Sequence, residues 1–343
     1  MGAFDALPGW LRENVGPMPA FLEAAAKAPG LLRLKDINMH CGCHYTAFRR
    51  FQGLPGYSRY LHSLGVAAIC WHFTADLAAA LAGLCHDMAT PVFSHVVDFL
   101  YGDAMTQERT QEGTLERIGE DPVLGGILAS LGLEASALYP TEQHPIADNP
   151  SPQLAADRLE YTLHNGVDYG LCSEALAAQL FADLAVGENE AGAPEIGFQN
   201  LAAAREFGRI SLACSAIYVA PEDRYAMEVL SCLLRRALHD GVLDVSDLHS
   251  GESAVIEKLQ ASHLGQLWAA FRGMDALVLK QMPGPEPMWR QIRAKKRRID
   301  PLILGHGRLS ELDADYRAAL AAFRNESQEM WMYCPGLGEL AFL

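Results

Sequence analysis

His86 and Asp87 stand side by side at the end of a run of apolar and small residues, LAAALAGLC at 77–85. An imidazole and a carboxylate in that setting need compensation, because a buried polar group without a partner costs free energy. A divalent cation satisfies both side chains at once and leaves positions open for water and substrate. The third candidate ligand is His62, upstream in RYLHSLGVA, and the fourth is Asp157, downstream in DRLEY. Two imidazoles and two carboxylates form a mixed nitrogen and oxygen set for one divalent ion, with Mn, Fe, Co, Ni, Zn or Mg as candidates.

The elements that must bring these four together are helices. Residues 60–72 and 74–85 alternate apolar and small side chains at helical spacing, which predicts two packed helices. His62 near the start of one and His86-Asp87 at the end of the next then converge across the pair. Pro91 opens a further helix over 92–101, which carries His95. The segment 140–152, PTEQHPIADNPSP, is a loop that delivers the chain to the Asp157 helix and is the mobile segment beside the site. Residues 181–198 hold two short apolar runs around GENEAG, which predicts a β-hairpin. Residues 201–282 return to helical periodicity, with helix-start signals at Ser246 and Ser253. The fold class expected is mainly α: a lead-in over 1–30, a helical catalytic bundle over 31–185 and a mostly helical C-terminal region over 186–343, with one minor β-hairpin.

The order H, HD, D with these flanking residues resembles the HD-domain metal-dependent phosphohydrolase superfamily. Within it, RYLHSLGVA, HDMATPVFSH and DRLEYTLHN are most similar to the deoxynucleoside triphosphate triphosphohydrolase-like branch, over roughly residues 30–170. The resemblance implies hydrolysis of a nucleotide, a deoxynucleoside triphosphate first and a monophosphate next, by a metal-activated water. A metal suits that reaction, since it polarises a phosphoryl oxygen and lowers the pKa of the attacking water. By matching position, Arg59 and Arg158 would neutralise phosphate oxygens, and Tyr161 would donate to a phosphate or sugar. His95 would sit near the scissile phosphate as acid, base or orienting group. Glu108, after Gln107, stands where related chains place a His-Glu pair. The chain departs from the pattern at Thr90, where a second histidine is usual, at Gln107, and at His164-Asn165 in place of a sugar-contacting Arg-Asp. These departures leave the metal set intact and bear on the triphosphate apparatus. The resemblance also implies a homo-oligomer. Two other functions stay open: a non-catalytic nucleotide sensor, and a two-iron HD oxygenase.

Composition narrows the rest. With 343 residues, half of them apolar, the chain can bury a sizeable core. A formal net charge of -15 argues against a general nucleic-acid or anionic-membrane binder. No apolar stretch is long enough to span a membrane and MGAFDALPGWLRENVG lacks an export pattern, so the expectation is a cytoplasmic protein acting on a small-molecule nucleotide or phosphate ester. Eight scattered cysteines suit reduced thiols rather than a disulfide framework. The cluster HCGCHY at 40–45 reads either as a metal site or as a loop over the active site, and its C-x-C spacing without a distant partner favours the loop. The basic run at 293–298, RAKKRR, reads either as a solvated face or as a phosphate-binding or inter-subunit element.

Overall fold

The computed structural model describes residues 2–105 and 112–337. Its centre is the helical pair anticipated between residues 60 and 85. Ser58 Oγ accepts from the Leu61 N–H at 3.2 Å and starts the helix Arg59–Thr74. Ala75, at φ 48°, ends that helix, and Asp76 starts Leu77–Cys85 by accepting from the Ala79 N–H at 2.7 Å. At 1.5 Å per residue the chain travels about 18 Å from His62 to Thr74 and about 14 Å back from Leu77 to His86. The return brings His86 level with His62. The small residues of the run have a packing reason: a Cβ at Gly83 would meet Cys70 Sγ at 2.9 Å and Val66 Cγ1 at 3.1 Å, so glycine lets the helices lie close.

A third helix, Ala156–Asp168, packs on the first and supplies Asp157. One hydrophobic core joins these three helices to Leu201–Tyr218 and to the N-terminal residues Trp10, Leu11, Leu22 and Leu31. A second core gathers Phe48, Phe51, Phe93 and Phe99 with the helix Pro221–His239, Trp268 and Phe271. Leu84, Cys85 and Met88 belong to the first core, Val92, Phe93 and Val96 to the second. The segment carrying His86 and Asp87 therefore crosses from one core to the other and is anchored at both ends.

The mainly α architecture is as expected, and so is the hairpin: Leu184–Glu188 pairs antiparallel with Pro194–Phe198 in the register Leu184↔Phe198. The C-terminal region holds more strand than expected. Leu302–Ile303 adds to the hairpin in parallel and Gly307–Arg308 follows it, while Val278–Lys280, Trp331–Tyr333 and Arg290–Gln291 make a second antiparallel sheet. The helical periodicity predicted to 282 stops at Arg272, where Gly265–Arg272 ends.

The helix expected over 92–101 is shorter, Val96–Leu100, with His95 at its N-cap. Phe93 (φ 56°) and Ser94 (φ 51°) adopt left-handed backbone, which costs of order 1–3 kcal/mol each for non-glycine residues and persists only where the surroundings hold it. Two remote side chains do so: Arg59 Nε donates to Ser94 Oγ at 2.8 Å, and Glu252 Oε1 accepts from the Phe93 N–H at 3.3 Å. The loop at 140–152, expected to be mobile, is packed, with Ile146, Ala147 and Asn149 buried and Arg158 bonded along it.

Candidate metal centre

Three chain segments converge. His62 Nε2 lies 3.2 Å from His86 Nε2, and Asp157 Oδ1 lies 3.0 Å from the first and 3.6 Å from the second. Asp87 Oδ2 is 3.8 Å from His62 Nε2 and 3.5 Å from His86 Nε2. Among the described residues, His62, His86 and Asp87 form the one group of three or more His, Cys, Asp or Glu whose ligand atoms all lie within 4.8 Å of one another. Asp157 reaches the same two imidazoles from the third helix. Its side chain is 23% exposed, against 1% for His62 and 8% for Asp87, so the centre opens to solvent on the Asp157 side.

Hydrogen bonds on the far side of each ring fix what faces the centre. His62 Nδ1 donates to Glu160 Oε2 at 2.5 Å, and His86 Nδ1 donates to the Gly83 carbonyl at 2.8 Å. Each Nε2 is therefore the nitrogen that faces the centre. Two such nitrogens 3.2 Å apart, with carboxylate oxygens beside them, call for a positive charge among them, which protons or a metal ion supplies. Metal–ligand bonds of about 2.0–2.2 Å place neighbouring ligand atoms about 3 Å apart, the spacing seen for the imidazole pair and for Asp157. The donor set thus fits a divalent ion.

The titration behaviour has the same cause. Burial opposes protonation of His62, yet its hydrogen bonds to Asp157 and Glu160 raise its pKa to about 10. His86 is likewise raised, the charges of Asp87 and Asp157 outweighing burial. Burial pushes Asp87 up, but Arg59 and the two imidazoles hold it well below the usual carboxylate range. Asp157 is depressed by the same imidazoles against the same opposition. A cluster that draws protons so strongly is one in which a metal ion can take their place.

The outer shell is where sequence reasoning fell short. Glu160, fully buried, accepts from His62, from the Tyr57 hydroxyl and from His164 Nδ1 at 3.0 Å. It is the carboxylate that sets the His62 ring and tautomer, a role such partners regularly play behind metal-binding histidines. Two signals in the chain pointed to it. Glu160 lies one helical turn beyond Asp157, on the same face, and Gly65 lies one turn beyond His62. A Cβ at Gly65 would meet Glu160 Cγ at 2.5 Å, so only glycine admits that side chain. Arg33 is the other unforeseen element: its Nη2 donates to the Met88 and Thr90 carbonyls at 3.1 and 2.7 Å and holds the turn after His86-Asp87.

The remaining candidates lie as follows. Arg59 is buried, its Nη1 donating to Asp87 Oδ2 at 2.6 Å, so it braces a candidate ligand. Thr90 Oγ1 donates to the other Asp87 oxygen at 3.0 Å. Arg158 binds the loop before it, with Asp148 Oδ1 at 3.1 Å, the Gln153 carbonyl at 2.8 Å, and Asn149 through both its oxygens. Tyr161 is half-buried with its ring 6.5 Å from that of His62, and burial lifts its hydroxyl to about 12. His95 Nδ1 donates to Asp98 Oδ2 at 2.8 Å, and its Nε2 accepts from Arg297 Nη2 at 2.9 Å. Burial and the Arg297 charge lower the His95 pKa to about 4. Gln107 and Glu108 lie outside the described residues.

The HCGCHY segment is a turn in which Cys41 and Gly42 have positive φ and Cys43 Sγ meets Asp223. The basic run is put to structural use: Arg293 pairs with Glu329 at 2.5 Å, and Lys296 Nζ donates to the Phe323 and Glu326 carbonyls at the end of Ala314–Asn325. Two concavities lie apart from the ligand atoms. One of about 650 Å³ between Leu201–Tyr218 and Ala314–Asn325 is walled mainly by apolar residues and brings together no catalytic groups. The other, about 280 Å³, is polar, lined by Asn38, His44, Tyr45 and Glu252, and reaches the outer shell at Tyr57. Chemistry is assigned to the cluster because, among the described residues, it is the group of His, Cys, Asp or Glu whose ligand atoms converge closely enough for one ion. No described helix is long and apolar enough to cross a membrane.

Comparison with known proteins gives several similarities, of which three are described. The chain is 27% identical over 245 residues to an uncharacterized protein, YdhJ, of Bacillus subtilis, covering 70% of this chain and 71% of that one. It is 30% identical over 146 residues to a metal-dependent phosphohydrolase of Cordyceps militaris, covering 41% of this chain and 40% of the relative. The crystal structure of a phosphohydrolase from Bacteroides thetaiotaomicron shares the fold, with a TM-score of 0.64, 16% identity, and 93% and 96% of the two chains covered. No protein-family model matches the chain. The Bacteroides structure shows a shared fold, the Cordyceps relative carries the name metal-dependent phosphohydrolase over part of its length, and none of the three singles out the triphosphohydrolase-like branch.

Proposed function

We propose that the chain is a metal-dependent phosphohydrolase of the HD type, hydrolysing a nucleotide or related phosphate ester, with a deoxynucleoside triphosphate as the first substrate to test and a monophosphate the second. The observation that carries this reading is the meeting of His62 Nε2 and His86 Nε2, 3.2 Å apart, beside Asp87 and Asp157. A divalent ion bound by these four residues supplies Lewis-acid polarisation of a phosphoryl oxygen and a water of lowered pKa.

The protein's own groups do the rest. Glu160 keeps the proton on His62 Nδ1, so that Nε2 stays a ligand atom. Arg59 and Thr90 hold both oxygens of Asp87. Tyr161 stays protonated through neutral pH and can donate from the open side of the centre. His95, its proton fixed on Nδ1 by Asp98, offers Nε2 as the atom to exchange a proton with substrate. Arg158 holds the Asp148-to-Gln153 loop at the rim.

The test uses the full chain, stripped of metal and reloaded separately with Mn, Co, Ni, Zn and Mg, against a panel of deoxynucleoside mono- and triphosphates. Release of phosphate, pyrophosphate or triphosphate by wild type, and its loss in His86→Ala and Asp157→Asn, is the expected result. Thermal stabilisation by nucleotide with no turnover in any of these ions would replace the enzyme by a nucleotide sensor.

A further inference from the structure

His95 is placed by residues far from it in sequence. The Phe93 and Ser94 carbonyls accept from the Val96 and Val97 N–H groups at 3.1 Å each, so the backbone of Phe93 and Ser94 decides where the helix Val96–Leu100 starts and how His95 is set. Both residues hold left-handed backbone, at φ 56° and 51°, which persists only where other groups enforce it. Several of those groups come from the segment 248–252 of the C-terminal region. The Leu248 carbonyl accepts from the Val92 N–H at 2.8 Å. The Ser250 carbonyl accepts from Arg33 Nη1 at 3.2 Å, on the guanidinium that also holds the Met88 and Thr90 carbonyls. Glu252 Oε1 accepts from the Phe93 N–H at 3.3 Å and from the Asn38 N–H at 3.0 Å, while Oε2 accepts from the Tyr45 hydroxyl at 2.9 Å.

Asn38 closes the bracket. Its carbonyl accepts from Ser94 Oγ at 3.5 Å, and the same Oγ accepts from Arg59 Nε at 2.8 Å. One buried carboxylate thus fixes the first left-handed residue directly and the second through Asn38. Removing it strands two N–H groups that are costly to leave unbonded, and the turn gains by relaxing toward ordinary backbone.

We propose that Glu252 is a positioning residue for His95, holding the left-handed turn that sets the imidazole. This rests on the phosphohydrolase reading, in which His95 exchanges a proton with substrate, and adds a residue from outside the HD segment. A misplacement of about 1 Å in such a group costs about a hundredfold in rate.

The charge state of Glu252 gives a readout that a merely structural residue would not move. Burial raises its carboxyl to about 7, with Asp36 adding to the rise and the hydrogen bonds from Asn38, Tyr45 and Phe93 opposing it. The groups that face it are Asp36, which accepts from Ser253 Oγ at 2.7 Å, Tyr45, and the Lys35 and His44 side chains that line the polar concavity with it. Burial lowers His44 to about 4 and raises the Tyr45 hydroxyl, so neither titrates near 7, and His95 itself lies at about 4. A change in the His95 signal near pH 7 therefore reports Glu252.

The experiment uses the zinc-loaded full chain as wild type, Glu252→Gln and Glu252→Ala, with circular dichroism to confirm folding. Nitrogen-resolved histidine NMR follows His95 from pH 5.5 to 8.5, its signal assigned by its absence from His95→Gln. Turnover is measured on the best-hydrolysed member of the deoxynucleotide panel, and zinc affinity by chelator competition. In wild type the His95 resonances should inflect near pH 7, and in Glu252→Gln, which cannot ionise, the inflection should vanish. Glu252→Ala should move the His95 resonances and lower kcat at least tenfold with KM and zinc affinity within threefold of wild type, and Glu252→Gln should restore most of the lost kcat. Unmoved His95 resonances in a folded Glu252→Ala, an inflection that survives in Glu252→Gln, or a tenfold loss of zinc affinity in Glu252→Ala overturns the inference and leaves the phosphohydrolase reading standing. A wild type that hydrolyses no nucleotide overturns that reading instead, and the His95 resonances then decide whether Glu252 holds the turn. If Glu252→Ala does not fold, the inflection in wild type and its fate in Glu252→Gln decide alone.

Discussion

Replacing Glu160 by glutamine perturbs the centre without touching a ligand. Glu160 is fully buried and receives three hydrogen bonds, from His62 Nδ1 at 2.5 Å, His164 Nδ1 at 3.0 Å and the Tyr57 hydroxyl. Burial pushes its carboxyl up, but the hydrogen bonds and charges of His164 and His62 hold it at about 2, so it is ionised at any working pH. Glutamine keeps the shape and offers one oxygen in place of two. Whichever way the amide turns, one side loses its acceptor, and the negative charge behind the His62 ring is gone. Loss of such a partner typically lowers metal affinity ten- to a hundredfold, or about 1.4–2.7 kcal/mol. The assay is competition for zinc against a chelator of known affinity, with Asp157→Asn as the ligand-loss control. Glu160→Gln within twofold of wild type, in a folded protein, would refute the claim that Glu160 sets His62 for metal.

Gly65→Ala should act on the same pair from the other helix: its Cβ would press on Glu160 Cγ at 2.5 Å, and overpacking of this kind costs about 1–3 kcal/mol, read as a lower denaturation midpoint together with weaker zinc binding. A second site gives a pH prediction of known sign. Glu252, 1% exposed, is raised by burial from 4.5 to about 7 although Asn38, Tyr45 and Phe93 donate to it. Its protonated form is favoured in the folded state, so its contribution is full below about 4.5 and falls as pH rises to about 7, by about 3 kcal/mol. Glutamine mimics the neutral acid, so Glu252→Gln should match wild type near pH 4.5 and exceed it in urea denaturation above pH 7. For the metal-free protein, the raised His62 contributes stability that is full below 6.5 and lost as pH climbs through about 10. Its melting temperature should therefore fall across that window. Zinc at a hundred times its dissociation constant should restore about 2.7 kcal/mol and release protons, seen as a binding heat that depends on buffer ionisation.

The meeting of His62 and His86 was legible because it follows from helix geometry: a short connection at Ala75-Asp76 turns two helices back on each other and brings His62 beside His86. The mainly α class followed from the same periodicity. Glu160 was not read, since a glutamate on a helix of mixed polarity looks like any solvated residue until its opposing glycine is noticed. The helix start after Pro91 was misplaced because Arg59 and Glu252, distant in sequence, hold Phe93 and Ser94 in left-handed backbone. The two-residue strands at Arg290–Gln291, Leu302–Ile303 and Gly307–Arg308 are too short to show alternation. Arg297 reaches His95 from 202 positions away, a contact no local pattern encodes.

Anomalous diffraction at the absorption edge of a loaded metal, zinc or manganese, tests the central claim most directly. The account predicts a single strong peak within bonding distance of His62 Nε2, His86 Nε2 and carboxylate oxygens of Asp87 and Asp157, absent in His86→Ala. A peak located instead at the Cys41–His44 turn, or no peak between the two imidazoles under any loading condition, would contradict it.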